Sequence, residues 1–295
     1  MDEIRNLVWN GAINVKLTVK STLLIAGVKK ERCSLNIRIP RDIYLPMYLP
    51  FMKNQVKDYL KADIDDRELF VWFEYENVPL YWNYPVGVLF DSMTSLIPSG
   101  RKRGDTSSSI NMWTIELAYG PQAPSGVLPI VKGQEQIQGY WMHQWKQVCF
   151  ILNGSAKQMM SLAMYDSKKF WESVIKRDRK SFEFIATKII PAKPRHIPVV
   201  IHQSLPEMQI MQPVISAFQA DQHEETFMDV LTHLLPVLFE KKGRAPIKIV
   251  CSGIEIPLEA HIYETYLRFF SFDGFLHISL CLLTANEVAI EGLEN

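Results

Sequence analysis

One aromatic-rich segment of the chain contains a histidine, a lysine and a cysteine at spacings of three residues: His143, Lys146 and Cys149. A thiol beside a histidine is the pattern of a nucleophile and its base. On a helix, six residues place two side chains about 120° apart, because each residue turns the helix by 100°. Cys149 also shares an apolar face with Trp145. We therefore expect a buried cysteine and a surface histidine rather than a catalytic pair.

The lysine of this segment offers another chemistry, because a neutral amine can attack a thioester. By the same helical arithmetic, Lys146 lies about 100–120° from the centre of the stripe formed by Trp141, Trp145 and Leu152. Its stem could lie along apolar surface while its amine reaches solvent. From the residues alone, it is one exposed lysine among many, and its position does not single it out.

Basic residues crowd the later part of the same region, and two interpretations remain open. The commoner is a solvated helix face; the other is a membrane-facing basic patch, for which we name Lys157 and Lys168, with about 1 kcal/mol of attraction to anionic lipid per cation. The methionines of residues 159–164 are expected to lie in the core, and the less common alternative is a docking surface. The basic residues are Lys157, Lys168, Lys169, Lys176, Arg177, Arg179 and Lys180.

No pattern for a metal or a cofactor accompanies these residues. The seven histidines include no His-x-x-x-His pair, and the chain has neither a Gly-x-Gly-x-x-Gly nor a P-loop sequence. The four cysteines are far apart and are expected to be reduced, mostly buried thiols of a cytosolic protein. We predict no catalytic residue, no metal and no cofactor.

The composition is that of a soluble globular protein of 295 residues, with 32 basic and 32 acidic side chains. Because the net charge is zero, no global field attracts nucleic acid, and we expect no nucleic-acid partner. The N-terminus lacks the basic and apolar regions of a secretory signal. No apolar run approaches the roughly 20 residues of a membrane span, so any membrane contact is expected at the surface.

Two stretches of the chain carry the same order of predicted elements. The first has strands at 13–19, 35–39, 69–74, 78–80 and 112–118, with helices at 44–62 and from Pro85. The second has strands at 196–202, 209–218, 247–251, 256–258 and 275–283, with helices at 226–240, kinked at Pro236, and 261–270. A repeated ββαββαβ unit is ubiquitin-like in order. We therefore predict an α+β fold with two ubiquitin-like (β-grasp) domains flanking a helix-rich domain.

The stretch between the repeats has helical spacing only, and Asn153-Gly154 is expected to end its first helix. A polar loop is predicted at 99–109. The predicted boundaries are an N-terminal helix at 1–9, a first ubiquitin-like domain at 10–120, a linker at 121–136, a helix-rich domain at 137–190, a linker at 191–195, a second ubiquitin-like domain at 196–284 and a tail at 285–295.

Several long strings of residues resemble the autophagy protein 5 family of budding yeasts, over essentially the whole length and in the right order. Residues 97–136 and 205–245 match poorly, and nothing is carried over there. The matching strings are HQWKQVCFILNG at 143–154, LVWNG at 7–11, WNYPVGVLFD at 82–91, PRHIP at 194–198, GIEIP at 253–257 and SFDGFL at 271–276.

The resemblance implies that Lys146 accepts an isopeptide bond from the C-terminal glycine of the ubiquitin-like autophagy protein 12. E1-like and E2-like partners would carry the thioesters, so the chain itself would be a non-catalytic scaffold and not an enzyme. The conjugate would bind the coiled-coil autophagy protein 16. It would then act like an E3 ligase in the transfer of autophagy protein 8 to phosphatidylethanolamine, in the cytoplasm and on the preautophagosomal structure or isolation membrane.

A groove for an amphipathic helix of autophagy protein 16 is also implied, and we place Trp82, Tyr84 and Gly87 near it. All three have another interpretation: the aromatic residues are equally good core residues, and the glycine could simply permit close packing. Other functions also stay open from the sequence. These are a peripheral membrane-binding adaptor without an essential covalent role, and a thiol-dependent enzyme that would need Cys149.

Overall fold

The structure, a computed structural model, describes residues 2–61, 69–94, 112–203, 209–217, 224–239 and 247–282. The predicted polar loop at 99–109 and the predicted tail at 285–295 lie outside the described residues.

A five-stranded sheet forms from the first repeat. Its side chains alternate between core and surface, which is the pattern that predicted the strands. The strand order is β2-β1-β5-β3-β4, with β1 and β5 parallel at the centre and every other pair antiparallel. The strands are β1 (Ala12–Val19), β2 (Leu35–Pro40), β3 (Phe70–Tyr75), β4 (Val78–Pro79) and β5 (Met112–Gly120).

Short helices cover this sheet and precede it. The prediction of a helical stretch over 44–62 is confirmed as one α-helix between two 3-10 turns, and Pro85 does stand directly before a helix. The helices are α1 (Asp2–Asn10), α2 (Leu49–Val56) and α3 (Val86–Thr94), and the flanking 3-10 turns are Leu45–Tyr48 and Lys57–Tyr59.

A second five-stranded sheet repeats the topology of the first. Its order is β8-β7-β12-β10-β11, again with the first and last strands of the unit parallel at the centre. The internal repeat predicted from the sequence is thus confirmed strand for strand. The strands are β7 (Val199–Gln203), β8 (Gln209–Met211), β10 (Ile247–Cys251), β11 (Ile254–Ile256) and β12 (Leu276–Leu282).

Two strands predicted as continuous are each broken by a proline. Pro198 divides 196–202 and Pro213 divides 209–218, because proline has no N–H to donate to a ladder. The detached pieces, β6 (His196–Ile197) and β9 (Ile215–Ser216), pair with each other in a separate two-stranded sheet.

The helices of the second repeat follow the prediction, and the first helical stretch is interrupted at Leu235, directly before Pro236. A capping box at Thr226 begins the first of them: its hydroxyl accepts from the Asp229 N–H, and the Asp229 carboxylate accepts from the Thr226 N–H. The helices are α8 (Phe227–Leu234), α9 (Pro236–Phe239) and α10 (Ile262–Phe269).

The helix-rich region lies between the two sheets in the chain. Its first helix ends, as predicted, where Gly154 adopts a left-handed conformation with φ 72°. It begins at Gly133, so the last residues of the predicted linker at 121–136 are helical. The helices are α4 (Gly133–Asn153), α5 (Lys157–Met160), α6 (Met164–Ile175) and α7 (Arg179–Ala186).

One hydrophobic core joins α4–α7 to the second sheet and to α1, while the first sheet has a core of its own. The helices therefore bury their aromatic side chains against a neighbouring domain, as short helices must. Aromatic residues of this shared core include Trp9, Trp82, Trp141, Trp145, Phe170, Phe182, Phe270 and Phe272.

Candidate functional site

Lys146 lies on the solvent-facing side of α4. The exposed positions Gly139, His143, Lys146 and Phe150 follow one another at spacings of three and four residues, so they form one stripe along the helix. Phe150, one turn beyond the lysine, is 60% exposed, which is unusual for a phenylalanine. The amine is therefore open to a large partner.

The opposite side of α4 is anchored by two tryptophans. Trp141 and Trp145 are fully buried, and both of their indole N–H groups donate to the Phe272 carbonyl, at 2.7 and 2.9 Å. Their rings also pack against Phe170 of α6, each with a centroid separation of 4.9 Å. Hydrogen bonds to Phe272 and ring packing against Phe170 thus hold the buried face of the helix that carries Lys146.

Phe272 belongs to a turn that residues of the first domain hold in place. The Phe272 N–H donates to Asp42 Oδ1 at 2.9 Å, and the Ser271 hydroxyl donates to the same oxygen. Burial raises the pKa of Asp42, while the nearby Arg177 guanidinium opposes the shift. The Arg177 Nη1 also donates to the Asp42 carbonyl at 2.9 Å, which ties the turn between α6 and α7 to the same point.

A buried chain of polar side chains runs beside this turn. His202 and His277 are joined ring nitrogen to ring nitrogen at 3.0 Å, and His277 Nε2 lies 3.0 Å from Asp273 Oδ2. The Tyr44 hydroxyl reaches the same carboxylate at 3.4 Å. Burial, and secondarily the neighbouring His277, lowers the pKa of His202 well below its usual range, so this imidazole is neutral near pH 7.

The expected division between His143 and Cys149 is confirmed. His143 is exposed, whereas Cys149 is fully buried and its thiol donates to the Ser155 carbonyl at 3.3 Å. All four cysteines are buried, and none of them forms a disulfide within the described residues. Within the described ranges, no group of three or more His, Cys, Asp or Glu side chains is placed to hold a metal ion. Nor does any helix among those residues have the length and apolar character needed to cross a membrane.

The basic residues of the helix-rich region separate into two groups. Lys157 and Lys168 are exposed, and Lys168, Lys169 and Lys176 line one surface pocket together with Tyr165. Glu172, also in this pocket, lies 2.8 Å from Lys176 and 3.8 Å from Lys168.

Two of the seven basic residues are structural instead of solvated, which corrects the sequence interpretation for them. Arg177 stacks on the Trp9 ring at 4.3 Å and donates to the Trp9 carbonyl. Arg179 bridges Asp2 at 2.7 Å and Glu183 at 3.3 Å. Both side chains fasten α1 to the helix-rich region.

The methionines of residues 159–164 are not all in the core. Met159 is buried as predicted, but Met160 and Met164 are 71% and 89% exposed. The expectation fails for these two because α5 ends at Met160 and α6 begins at Met164, so both residues lie at helix ends beside an exposed connection.

The three residues assigned to a partner groove are neighbours in the structure, and two of them are buried. Trp82 is in the shared core and donates to the Leu128 carbonyl at 2.6 Å. Gly87 is also buried; its N–H donates to the Arg41 carbonyl at 2.7 Å. Tyr84 is half-buried, edge-on to the His202 ring at 4.9 Å. The groove assignment stays a prediction.

Sequence reasoning missed the residues that hold the turn around Phe272. Asp42, Asp273 and His277 carry no motif, and the contacts that join Asp42 to Phe272 and His277 to His202 span 230 and 75 residues of the chain. The one available signal was the string SFDGFL at 271–276, which matched the family without showing why.

Two β-grasp sheets with the same strand order, sharing a helical bundle, define a tandem ubiquitin-like protein. Models of three family domains match the chain: "Autophagy protein ATG5, UblA domain" over residues 8–119, "alpha-helical bundle region" over 134–192 and "UblB domain" over 196–280. The chain belongs to the autophagy protein 5 family.

Relatives and a solved structure agree with this assignment over nearly the full length. The autophagy protein 5 of Vanderwaltozyma polyspora is 45% identical over 292 residues, with 98% of each chain covered. That of Saccharomyces cerevisiae is 38% identical over 299 residues, covering 98% of this chain and 99% of the relative. The crystal structure of Kluyveromyces marxianus Atg5 superposes with a TM-score of 0.81 at 34% identity, covering 95% and 99%.

Proposed function

We propose that this protein is a non-catalytic scaffold of autophagosome formation whose Lys146 is conjugated to the ubiquitin-like autophagy protein 12. The observation that carries the proposal is an exposed lysine on a helix whose opposite face is fixed by two buried tryptophans. Family membership supports a role in autophagy. The buried thiols favour partners, and not this chain, as carriers of the thioester.

The complex that follows from this proposal contains two further partners. The conjugate binds autophagy protein 16 and acts like an E3 ligase: it promotes transfer of autophagy protein 8 to phosphatidylethanolamine by an E2-like enzyme. Its contribution is to position and orient the reactants. The protein then works in the cytoplasm and on the surface of the preautophagosomal structure or isolation membrane, without a cofactor.

Reconstitution with the E1-like and E2-like enzymes, autophagy protein 12 and ATP tests the acceptor. Wild type is expected to give an adduct that resists thiol reagents, and Lys146→Arg is expected to give none, because arginine keeps the charge but cannot form the amide. Denaturing gels and peptide mass spectrometry read out the product and its site.

Lys157→Arg is the matched control, since it changes another exposed lysine of the same region in the same way. It should be conjugated at the wild-type rate. An adduct that survives Lys146→Arg would show that another lysine is used. Absence of any adduct with wild type and active partners would favour an adaptor without a covalent role.

The helix of autophagy protein 16 is proposed to dock near Trp82, Tyr84 and Gly87. Tyr84 is the partly accessible member of the three, so it is the one proposed to contact the helix directly. Trp82 and Gly87 are buried, and their N–H groups donate to the Leu128 and Arg41 carbonyls. They would therefore support the docking surface by fixing the backbone beneath it.

A second function, contact with anionic membranes, is supported by the exposure of Lys157 and Lys168. Reversing both charges is expected to weaken binding to phosphatidylserine vesicles about tenfold or more at physiological salt, because each cation near the surface contributes about 1 kcal/mol. Vesicle flotation measures this. Lys29→Glu, an exposed reversal on the first domain, should have little effect. Unchanged binding by the double reversal would exclude a membrane role for this patch.

A further inference from the structure

The helix that carries Lys146 is held by two hydrogen bonds to a single atom. Trp141 and Trp145 are one helical turn apart, and both indole N–H groups meet at the Phe272 oxygen. One such bond would leave α4 free to rotate about the contact. Two bonds from successive turns fix both its rotation and its position along the axis. Trp145 directly precedes Lys146, so these bonds also fix the direction in which the Lys146 side chain leaves the helix.

The turn Ser271–Gly274 packs closely on side chains of α4. Gly274 has φ +88°, which favours glycine. A Cβ at this position would lie 3.1 Å from both methyl carbons of Val148 and 3.2 Å from Trp145 Cε3. The backbone of the turn therefore packs directly on the Val148 and Trp145 side chains of α4, with no side chain of its own at position 274 between them.

The first ubiquitin-like domain holds the other side of this turn. Asp42 accepts from the Phe272 N–H and from the Ser271 hydroxyl. The Tyr44 ring packs edge-on against the Phe272 ring at 4.6 Å. The turn is consequently fixed by residues of both domains, and α4 is fixed by the turn.

We propose that the turn Ser271–Gly274 is a positioning element for Lys146, which sets the direction from which the amine meets the donor thioester. This rests on the proposed function. In the transfer, Lys146 Nζ forms a bond to the thioester carbonyl carbon, the C–S bond breaks, and an amine proton passes to the departing thiolate. Alignment of the attacking atom governs the rate of such a step strongly.

The test removes the two N–H donors and keeps aromatic rings, in the double variant Trp141→Phe/Trp145→Phe. Trp9→Phe is the matched control, because the Trp9 indole is also buried and also donates to a backbone carbonyl, that of Arg177 at 3.1 Å, instead of to the Phe272 oxygen. Single-turnover transfer from the loaded donor enzyme is measured at saturating acceptor and at a temperature where circular dichroism shows all variants folded. Peptide mass spectrometry then maps the adduct.

The double variant is expected to transfer about tenfold more slowly at saturation and to place part of the adduct on other lysines, while Trp9→Phe behaves as wild type. Discharge of the donor thioester to free lysine should be the same throughout. Equal saturating rates and equal site fidelity for the double variant and Trp9→Phe would overturn the proposal. No adduct even in wild type would instead contradict the proposed function.

Hydrogen exchange tests the proposal without a conjugation reaction. The amides of residues 141–149 are expected to exchange faster in the double variant than in Trp9→Phe. Equal exchange in the two variants would mean that the turn does not fix α4, and would overturn the proposal independently of any transfer assay.

Discussion

Single residues around Lys146 divide into those that hold the backbone and those left in solvent. Gly87, in the neighbouring domain, leaves no room for a larger side chain, because a Cβ there would lie 2.8 Å from the Arg41 Cβ. Arg41 is not free to retreat, since its guanidinium pairs with Asp91 and its carbonyl accepts from Gly87 N–H. The Cβ of residue 87 and the Arg41 Cβ would both lie next to the main chain, so neither could move away without a shift of the backbone.

Gly87→Ala is therefore expected to lower the free energy of unfolding by about 1–2 kcal/mol. Overpacking costs about 1–3 kcal/mol, and the better helix propensity of alanine returns up to about 1 kcal/mol. Urea denaturation measures the change. Gly139→Ala is the control, because it is also helical but meets nothing within 4 Å; it should be neutral or stabilising. A shift of the same sign and size in both variants would contradict the packing explanation.

At the scale of elements, hydrophobic periodicity predicted most helices and strands, and the prolines decided where the predictions failed. The alternation in β1 and the apolar stripe of α4 are local patterns, so the sequence displays them directly. At Pro198 and Pro213 the apolar spacing continues while the hydrogen bonding cannot. Spacing alone therefore merged β6 with β7 and β8 with β9.

The candidate site was predictable to the extent that it is local. The directions of Trp145, Lys146 and Cys149 follow from the 100° turn per residue. The bonds that hold α4 go to Phe272, and Phe272 is held in turn by Asp42, 230 residues away in the chain. No periodicity carries that information, and only the order of the sheets brings these residues together.

At the scale of the whole molecule, the buried His202 at the junction makes the stability of the fold depend on pH. His202 and His277 belong to the second domain and contact each other. From the first domain, the Tyr44 hydroxyl contacts Asp273 and the Tyr84 ring packs against His202. Because the folded-state pKa of His202 is depressed, the unfolded chain binds the proton more readily. This histidine therefore contributes stability that is present above about pH 6.5 and is lost as the pH falls.

His202→Gln is expected to remove that pH dependence. Below about pH 6.5, wild type should lose about 1.4 kcal/mol of unfolding free energy per pH unit more than the variant does, down to the folded-state pKa. Urea denaturation between pH 5 and 8 measures the two curves. His143→Gln, at an exposed histidine, should run parallel to wild type. Parallel curves for His202→Gln as well would show that this imidazole is not held neutral by the fold.

The order of the strands in the second sheet also has a consequence for synthesis. β5 completes the first sheet at Gly120, but the central strand β12 and the turn before it come from the end of the described chain. At typical translation rates of about 5–20 residues per second, roughly 6 to 24 seconds separate Asn153 from Ser271. Throughout that interval the tryptophans of α4 have no Phe272 carbonyl to meet. A nascent or prematurely released chain therefore displays Lys146 on a helix whose apolar face is covered only in part, by Phe170 and Phe182, and that face is a site where chaperones can bind.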